Sequence, residues 1–146
     1  MIKLRDLLLE SPNIPVYTGS DVAFVKFDLS KIGTRTDIGF AGKGAYTTIN
    51  KEKAQRWGKY VMTTLIDPND KWLYITSLTQ LGMPGMSKDI LNLPQPKRKI
   101  WWSAMVTKWT EQKIKEGYEG VEWKLSNDTQ YVLFRPDKYN WSSITN

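Results

Sequence analysis

The segment Gly42-Lys43-Gly44-Ala45-Tyr46-Thr47-Thr48 is followed, eleven residues after Tyr46, by Trp57. Two aromatic faces joined by a short helix can fold back to clamp a flat heterocycle. Glycines beside them let the backbone approach a ligand closely. A glycine turn beside two core aromatics accounts for the same residues. The chain contains neither cysteine nor histidine. A Ser-His-Asp triad, an imidazole base, a His-ligated metal and a thiolate metal site are therefore excluded. Acid–base chemistry must come from Asp, Glu, Lys or Tyr, and no metal is expected.

The elements that must position these residues belong to a chain of 146 residues, read as one domain over 1–146 with length enough for a core. The content is 40% apolar and 25% charged, which is ordinary for a globular protein. Seven tryptophans is a high number; core packing accounts for at least half of them, and their flat faces suit stacking as well as burial. Net charge is +6. Basic residues gather at Lys51–Lys59 and at Lys97-Arg98-Lys99, directly before Trp101-Trp102. Such clusters meet phosphates or form solvated helix faces. Met1–Glu10 carries Lys3, Arg5, Asp6 and Glu10, unlike a signal peptide, and no apolar run approaches spanning length. The expectation is a cytoplasmic protein with no membrane partner.

Periodicity predicts a helix over Met1–Glu10, stopped by Ser11-Pro12, and a strand over Ile14–Tyr17. Ser30–Lys43 reads as loop and Ala45–Ile49 as a short strand. Asn50 is a good N-cap for a helix over Lys51–Trp57, with Gly58 as its stop. Tyr60–Ile66 and Lys71–Ile75 read as strands joined by the turn residues Asp67-Pro68-Asn69-Asp70. Leu78–Pro96 is irregular. Lys97–Glu116 is the longest helical pattern, with Trp102, Met105, Val106 and Trp109 on one face. Tyr118–Leu125 and Thr129–Arg135 form a hairpin over Ser126-Asn127-Asp128. The order is α+β.

Three pieces now stand in order: Val16-Tyr17-Thr18-Gly19-Ser20; Gly42-Lys43-Gly44-Ala45-Tyr46 with Trp57; and Gly117-Tyr118-Glu119-Gly120-Val121 followed by Thr129-Gln130-Tyr131-Val132-Leu133-Phe134-Arg135-Pro136. Together they resemble the ADP-ribosyltransferase superfamily, on its diphtheria-toxin and poly-ADP-ribose-polymerase side, over residues 14 to 139. The resemblance implies an ADP-ribosyltransferase-like split β-sheet around an NAD cleft, with few helices. It implies that Gly19 hydrogen-bonds the nicotinamide carboxamide through its backbone. Tyr46 and Trp57 would sandwich the ring, with Tyr17, Ser20 and Gly44 completing the cofactor-binding set. Thr18, Tyr46 and Gln130 would take the catalytic positions.

The departures are chemical. Thr18 stands where the family has histidine, Ala54 where it has serine, and Gln130 where it has the catalytic glutamate. Gln accepts a ribose hydrogen bond but brings no charge to an oxocarbenium-like transition state. A positioned acid–base group is worth ~10²–10⁴ in rate. Glu119, Glu122 and Asp37 are the carboxylates that could substitute. The functions implied are NAD or related nucleotide binding, with ADP-ribosyl transfer to a protein or nucleic acid, or NAD glycohydrolase activity, if the site is active. The alternatives are a catalytically degenerate nucleotide-binding or sequestering protein, and an interaction protein using the fold as a scaffold. The opening Met1–Leu8 resembles the starts of tailed-phage proteins, which would make the host cytoplasm the setting and counter-defence a role.

Overall fold

The structure, a computed structural model, describes residues 13–31, 40–85 and 88–144. The helix expected over Met1–Glu10 and the candidate carboxylate Asp37 lie outside these residues.

Among the described residues, seven strands form one mixed sheet: β1 (Ile14–Ser20), β2 (Ala45–Thr48), β3 (Tyr60–Ile66), β4 (Trp72–Ile75), β5 (Gly120–Lys124), β6 (Thr129–Leu133) and β7 (Ser142–Ile144). The order is β4-β5-β6-β2-β1-β3-β7, antiparallel except for β4 with β5. The helices are α1 (Lys51–Gln55), α2 (Lys88–Leu91) and α3 (Gln95–Lys115), joined by three short 3-10 turns. The α+β class is therefore observed.

The sheet narrows at its middle. β1 and β3 pair in register over all seven residues of each, whereas β1 meets β2 at the single pair Tyr17↔Thr48. Two wings thus join at one residue pair. Between them α1 packs on β1, β2 and β3. Its start follows the expected chemistry: the Asn50 side chain accepts the Lys53 N–H at 3.1 Å.

β3 and β4, adjacent in sequence, do not pair. β3 lies between β1 and β7, while β4 forms the far edge. The turn between them is closed by Asp67, whose carboxylate accepts the Asn69 N–H and whose carbonyl accepts the Trp72 indole N–H. β4 runs parallel to β5, and a parallel pair needs a long crossover. The stretch from Leu78 to Lys115 supplies it, ending in α3. Gly120 allows the register: a Cβ there would strike the backbone of Val132 and the Trp72 ring.

Alternation along the strands builds two cores on opposite faces. Val16, Ala45, Met62, Ile66, Tyr131, Leu133 and Trp141 form the first. Ala41, Ile75, Leu81, Val121, Val132 and Phe134 form the second, with Tyr46, Trp109 and Trp123 at its margin. α3 covers the second core through Ile114 and through Trp109, edge-on to Phe134 at 6.0 Å. Trp102 and Met105, expected on the same buried face, are only half-buried. The region 22–27, without regular structure, packs Phe24 and Phe27 against Trp141.

Candidate functional site

Gln130 leads the candidate site. It pairs with Thr48 of β2 on one side and Trp123 of β5 on the other. Alternation sets it on the face of Val132 and Phe134, as the strand pattern predicts. The residue is 91% buried by its 9% exposure, yet its amide makes no hydrogen bond to the described residues. Neither amide atom is sealed from the surface. A buried stem therefore carries an amide tip that solvent or a ligand can reach.

Tyr46 lies on the same face, opposite Val132. Its hydroxyl donates to the Gly42 carbonyl and accepts the Ala41 N–H, both at 2.8 Å. Its ring thereby closes the loop that precedes it. The glycines of that loop answer to packing. Gly42 has φ +106°, and a Cβ there would come within 2.7 Å of the Phe134 ring. A Cβ on Gly44 would strike the Leu133 backbone. The Lys43 N–H is held by the Thr110 hydroxyl of α3 at 2.9 Å. The segment is a fixed strap between β6 and α3.

Gly19 and Trp57 meet, but through backbone. A Cβ on Gly19 would lie 2.5 Å from the Gly58 nitrogen and 2.6 Å from the Ala54 carbonyl oxygen. The end of α1 thus rests on the strand. Trp57 is half-buried. Tyr17 shares the face of Thr48 and Gln130. Thr18 does not: it follows Val16 by two positions, onto the face of the first core opposite Met62. Thr18 and Gln130 therefore point from opposite faces. Ser20 donates to the Val22 carbonyl and accepts its N–H in a local turn.

The candidate substitute carboxylates are spoken for. Glu122 accepts the Tyr131 hydroxyl at 2.7 Å, on the face opposite Gln130. Burial, with that carboxylate beside it, pushes the Tyr131 phenol above its ordinary value. Glu119 receives Lys138 at 2.7 Å, Arg135 at 3.2 Å and Tyr139 at 3.1 Å. Burial raises its proton affinity, but these three donors outweigh burial and hold the carboxyl below its ordinary value. Glu122 ties the two strands of the β5–β6 hairpin to each other, and Glu119 ties the start of β5 to the segment that follows β6.

Asp128 went unnoticed in the sequence, where it reads as a turn residue. It is buried, two positions before Gln130 and on the same face. Its two oxygens lie 2.7 and 2.8 Å from the Thr48 hydroxyl. Oδ1 also accepts the Thr129 N–H, and Oδ2 takes Lys53 of α1 at 3.0 Å. One carboxylate thus joins β2, β6 and α1. The signal that could have found it was Lys53 on a short helix facing the hairpin turn. Among the described residues no group of three or more acidic side chains is arranged to hold a metal ion.

No known protein family matches the chain, and no curated protein sequence does. One solved structure is similar in outline, a crystal structure of an anti-CRISPR protein. It is 13% identical, with a TM-score of 0.48 over 92% of this chain and 97% of that one. No helix among the described residues is long and apolar enough to cross a membrane.

Proposed function

We propose that the protein is a divergent ADP-ribosyltransferase-like protein that binds NAD or a related nucleotide on the sheet face between α1 and α3. Cleavage of the nicotinamide–ribose bond is slow or absent. The observation that carries this reading is Gln130. Its amide has no partner among the described residues and is open to the surface, so it can exchange water for a ligand. A ligand amide or ribose hydroxyl would supply that partner. Tyr46 and Tyr17 offer aromatic surface on the same face, and Trp57 follows the helix packed on Gly19. The catalytic weakness follows from charge. Gln130 is neutral, and both oxygens of nearby Asp128 are occupied by Thr48, Thr129 and Lys53.

A scaffold reading rests on a different observation. Gly19, Gly42 and Gly44 are each accounted for by close packing, with no ligand needed. Isothermal titration separates the two. NAD, ADP-ribose and nicotinamide are titrated at millimolar concentration into wild type and Gln130→Ala. Saturable heat with NAD that weakens in the variant is expected. Silence with all three ligands would leave the scaffold reading in possession.

A further inference from the structure

We propose that the outer edge of β4 is a self-association surface, on which a second copy of this chain adds its own β4 in antiparallel pairing. The edge lies two strands away from Gln130, and the inference does not depend on the function proposed for that site.

The two edges of the sheet differ. β7 has three residues, two of them serine. β4 reads Trp72-Leu73-Tyr74-Ile75, with no charge, proline or glycine to blunt it, and Tyr74 is 62% exposed. The Lys71 carbonyl accepts the N–H of Glu119, which leads into β5, so Lys71 faces β5. Backbone groups alternate in direction along a strand. Leu73 and Ile75 therefore face β5 as well, while the N–H and carbonyl groups of Trp72 and Tyr74 turn outward. Among the described residues no hydrogen bond reaches these outward groups. The free stretch is closed at both ends. The Asp70 N–H bonds the Asp67 carbonyl at 3.1 Å, and the Thr76 N–H bonds the Gln80 side chain at 2.7 Å. What remains between them is a template for one short strand.

That template is complementary to itself. With Leu73 opposite Leu73 of a second copy, Trp72 stands opposite Tyr74 at both ends of the pair. Both outward N–H groups of each copy then meet outward carbonyls of the other, and no free group is left over. A shift of two residues either way would set an outward group against Asp70 or Thr76, whose N–H groups are already taken. A strand of a different protein would have to supply this match, whereas a second copy carries it.

The side chains agree with this register. Trp72 and Tyr74 share the face of Tyr131, where the Trp72 ring already stands edge-on to the phenol ring at 5.1 Å. Trp72 of one copy opposite Tyr74 of the other lengthens that row, and aromatic cross-strand pairs are among the stabilising ones. Like charges do not meet. Lys71 falls opposite Ile75, and its ammonium donates to the Glu116 carbonyl at 2.8 Å and lies 4.3 Å from the centre of the Tyr118 ring. Pairing joins two seven-stranded sheets into one continuous sheet. An edge of four residues buries less than a standard interface, so the association is weak and reversible.

Cysteine cross-linking tests the register, since the chain has no thiol of its own. Directly opposed residues of a non-hydrogen-bonded pair have Cα atoms about 4.5 Å apart, which a disulfide spans. Leu73→Cys should therefore form a covalent dimer on mild oxidation about tenfold faster than Tyr74→Cys, although Tyr74 is the more exposed residue. Sedimentation velocity tests the association itself. From about 1 μM to about 1 mM, wild type should pass from monomer to dimer. Tyr74→Pro removes an outward N–H without touching the β4–β5 ladder, and should stay monomeric throughout. Ile100→Ser, which removes an apolar side chain 69% exposed on α3, should dimerise as wild type does. Circular dichroism confirms that each variant is folded, and if Tyr74→Pro is not, the cysteine pair decides alone. Three results would overturn the proposal. One is a wild type that is monomeric throughout, which would leave the edge to a strand of another protein. The others are cross-linking of Tyr74→Cys as fast as Leu73→Cys, and loss of the dimer in Ile100→Ser.

Discussion

At the scale of single residues, the chemistry turns on the neighbours of Gln130. Its place on the face of Val132 and Phe134 was legible, because strand alternation is strict once the strand is recognised. The role of Asp128 was not, because nothing local in Ser126-Asn127-Asp128 announces that β2 and α1 will converge on it. Thr18 failed to join the group for the same reason that Gln130 succeeded: a shift of one position reverses the face. These placements frame the variant Gln130→Glu. It would put a second carboxylate one strand repeat from Asp128, with Lys53 already neutralising the first. The new charge would face any oxocarbenium ion formed at the site. Nicotinamide release from NAD should rise about tenfold, equivalent to ~1.4 kcal/mol of barrier. The assay compares wild type and variant under identical conditions. A wild type that turns over briskly, with Gln130→Glu inert, would show that the reacting groups lie elsewhere.

At the scale of elements, local signals were sound and pairings were not. Asn50 caps α1 as its sequence suggests, and the β5–β6 hairpin forms with the Leu125 N–H on the Asp128 carbonyl at 2.9 Å. The separation of β3 from β4 was hidden, since a turn between two strands says nothing about which sheet positions they take. What decides it is non-local: the Glu119 N–H bonds the Lys71 carbonyl at 2.8 Å, starting the parallel β4–β5 pair. β7, only three residues long, carries too little pattern to recognise. The docking of α1 rests on the Gly19–Gly58 contact, and this can be measured. Gly19→Ala forces a methyl group against backbone that cannot yield, so overpacking should cost about 1–3 kcal/mol. Gly85→Ala, where an added methyl group meets nothing within 4 Å, should be neutral or slightly stabilising. Urea midpoints of the two variants give the comparison. Equal midpoints would mean that α1 is held by other contacts.

At the scale of the whole molecule, stability against pH reports how the β5–β6 hairpin and the segment after it are held. Tyr131 is buried and Tyr139 half-buried, each beside a carboxylate, Glu122 and Glu119, and removal from water is the leading cause that raises both phenols above the ordinary 10.0. In the unfolded chain the same phenols ionise near that value. The folded state holds its protons more tightly, so their contribution to stability is complete below pH 10 and is lost as pH rises above it. The acid side runs the other way. The Glu119 carboxyl is lowered from 4.5 when folded, so its stabilisation is present above that value and is lost as pH falls below it. Asp70 opposes this in part: burial, Asp67 and Glu119 raise its carboxyl above 3.8, so its protonation in acid relieves the folded state. The protein should therefore be most stable across the neutral range, with stability falling on both sides. Tyr139→Phe removes one of the two phenols while keeping the ring, at the cost of its hydrogen bond to Glu119. The variant should be less stable than wild type at pH 7, but its urea midpoint should fall less between pH 9 and pH 11. A parallel offset at every pH would mean that Tyr139 ionises equally in both states, and that the alkaline loss comes from other groups.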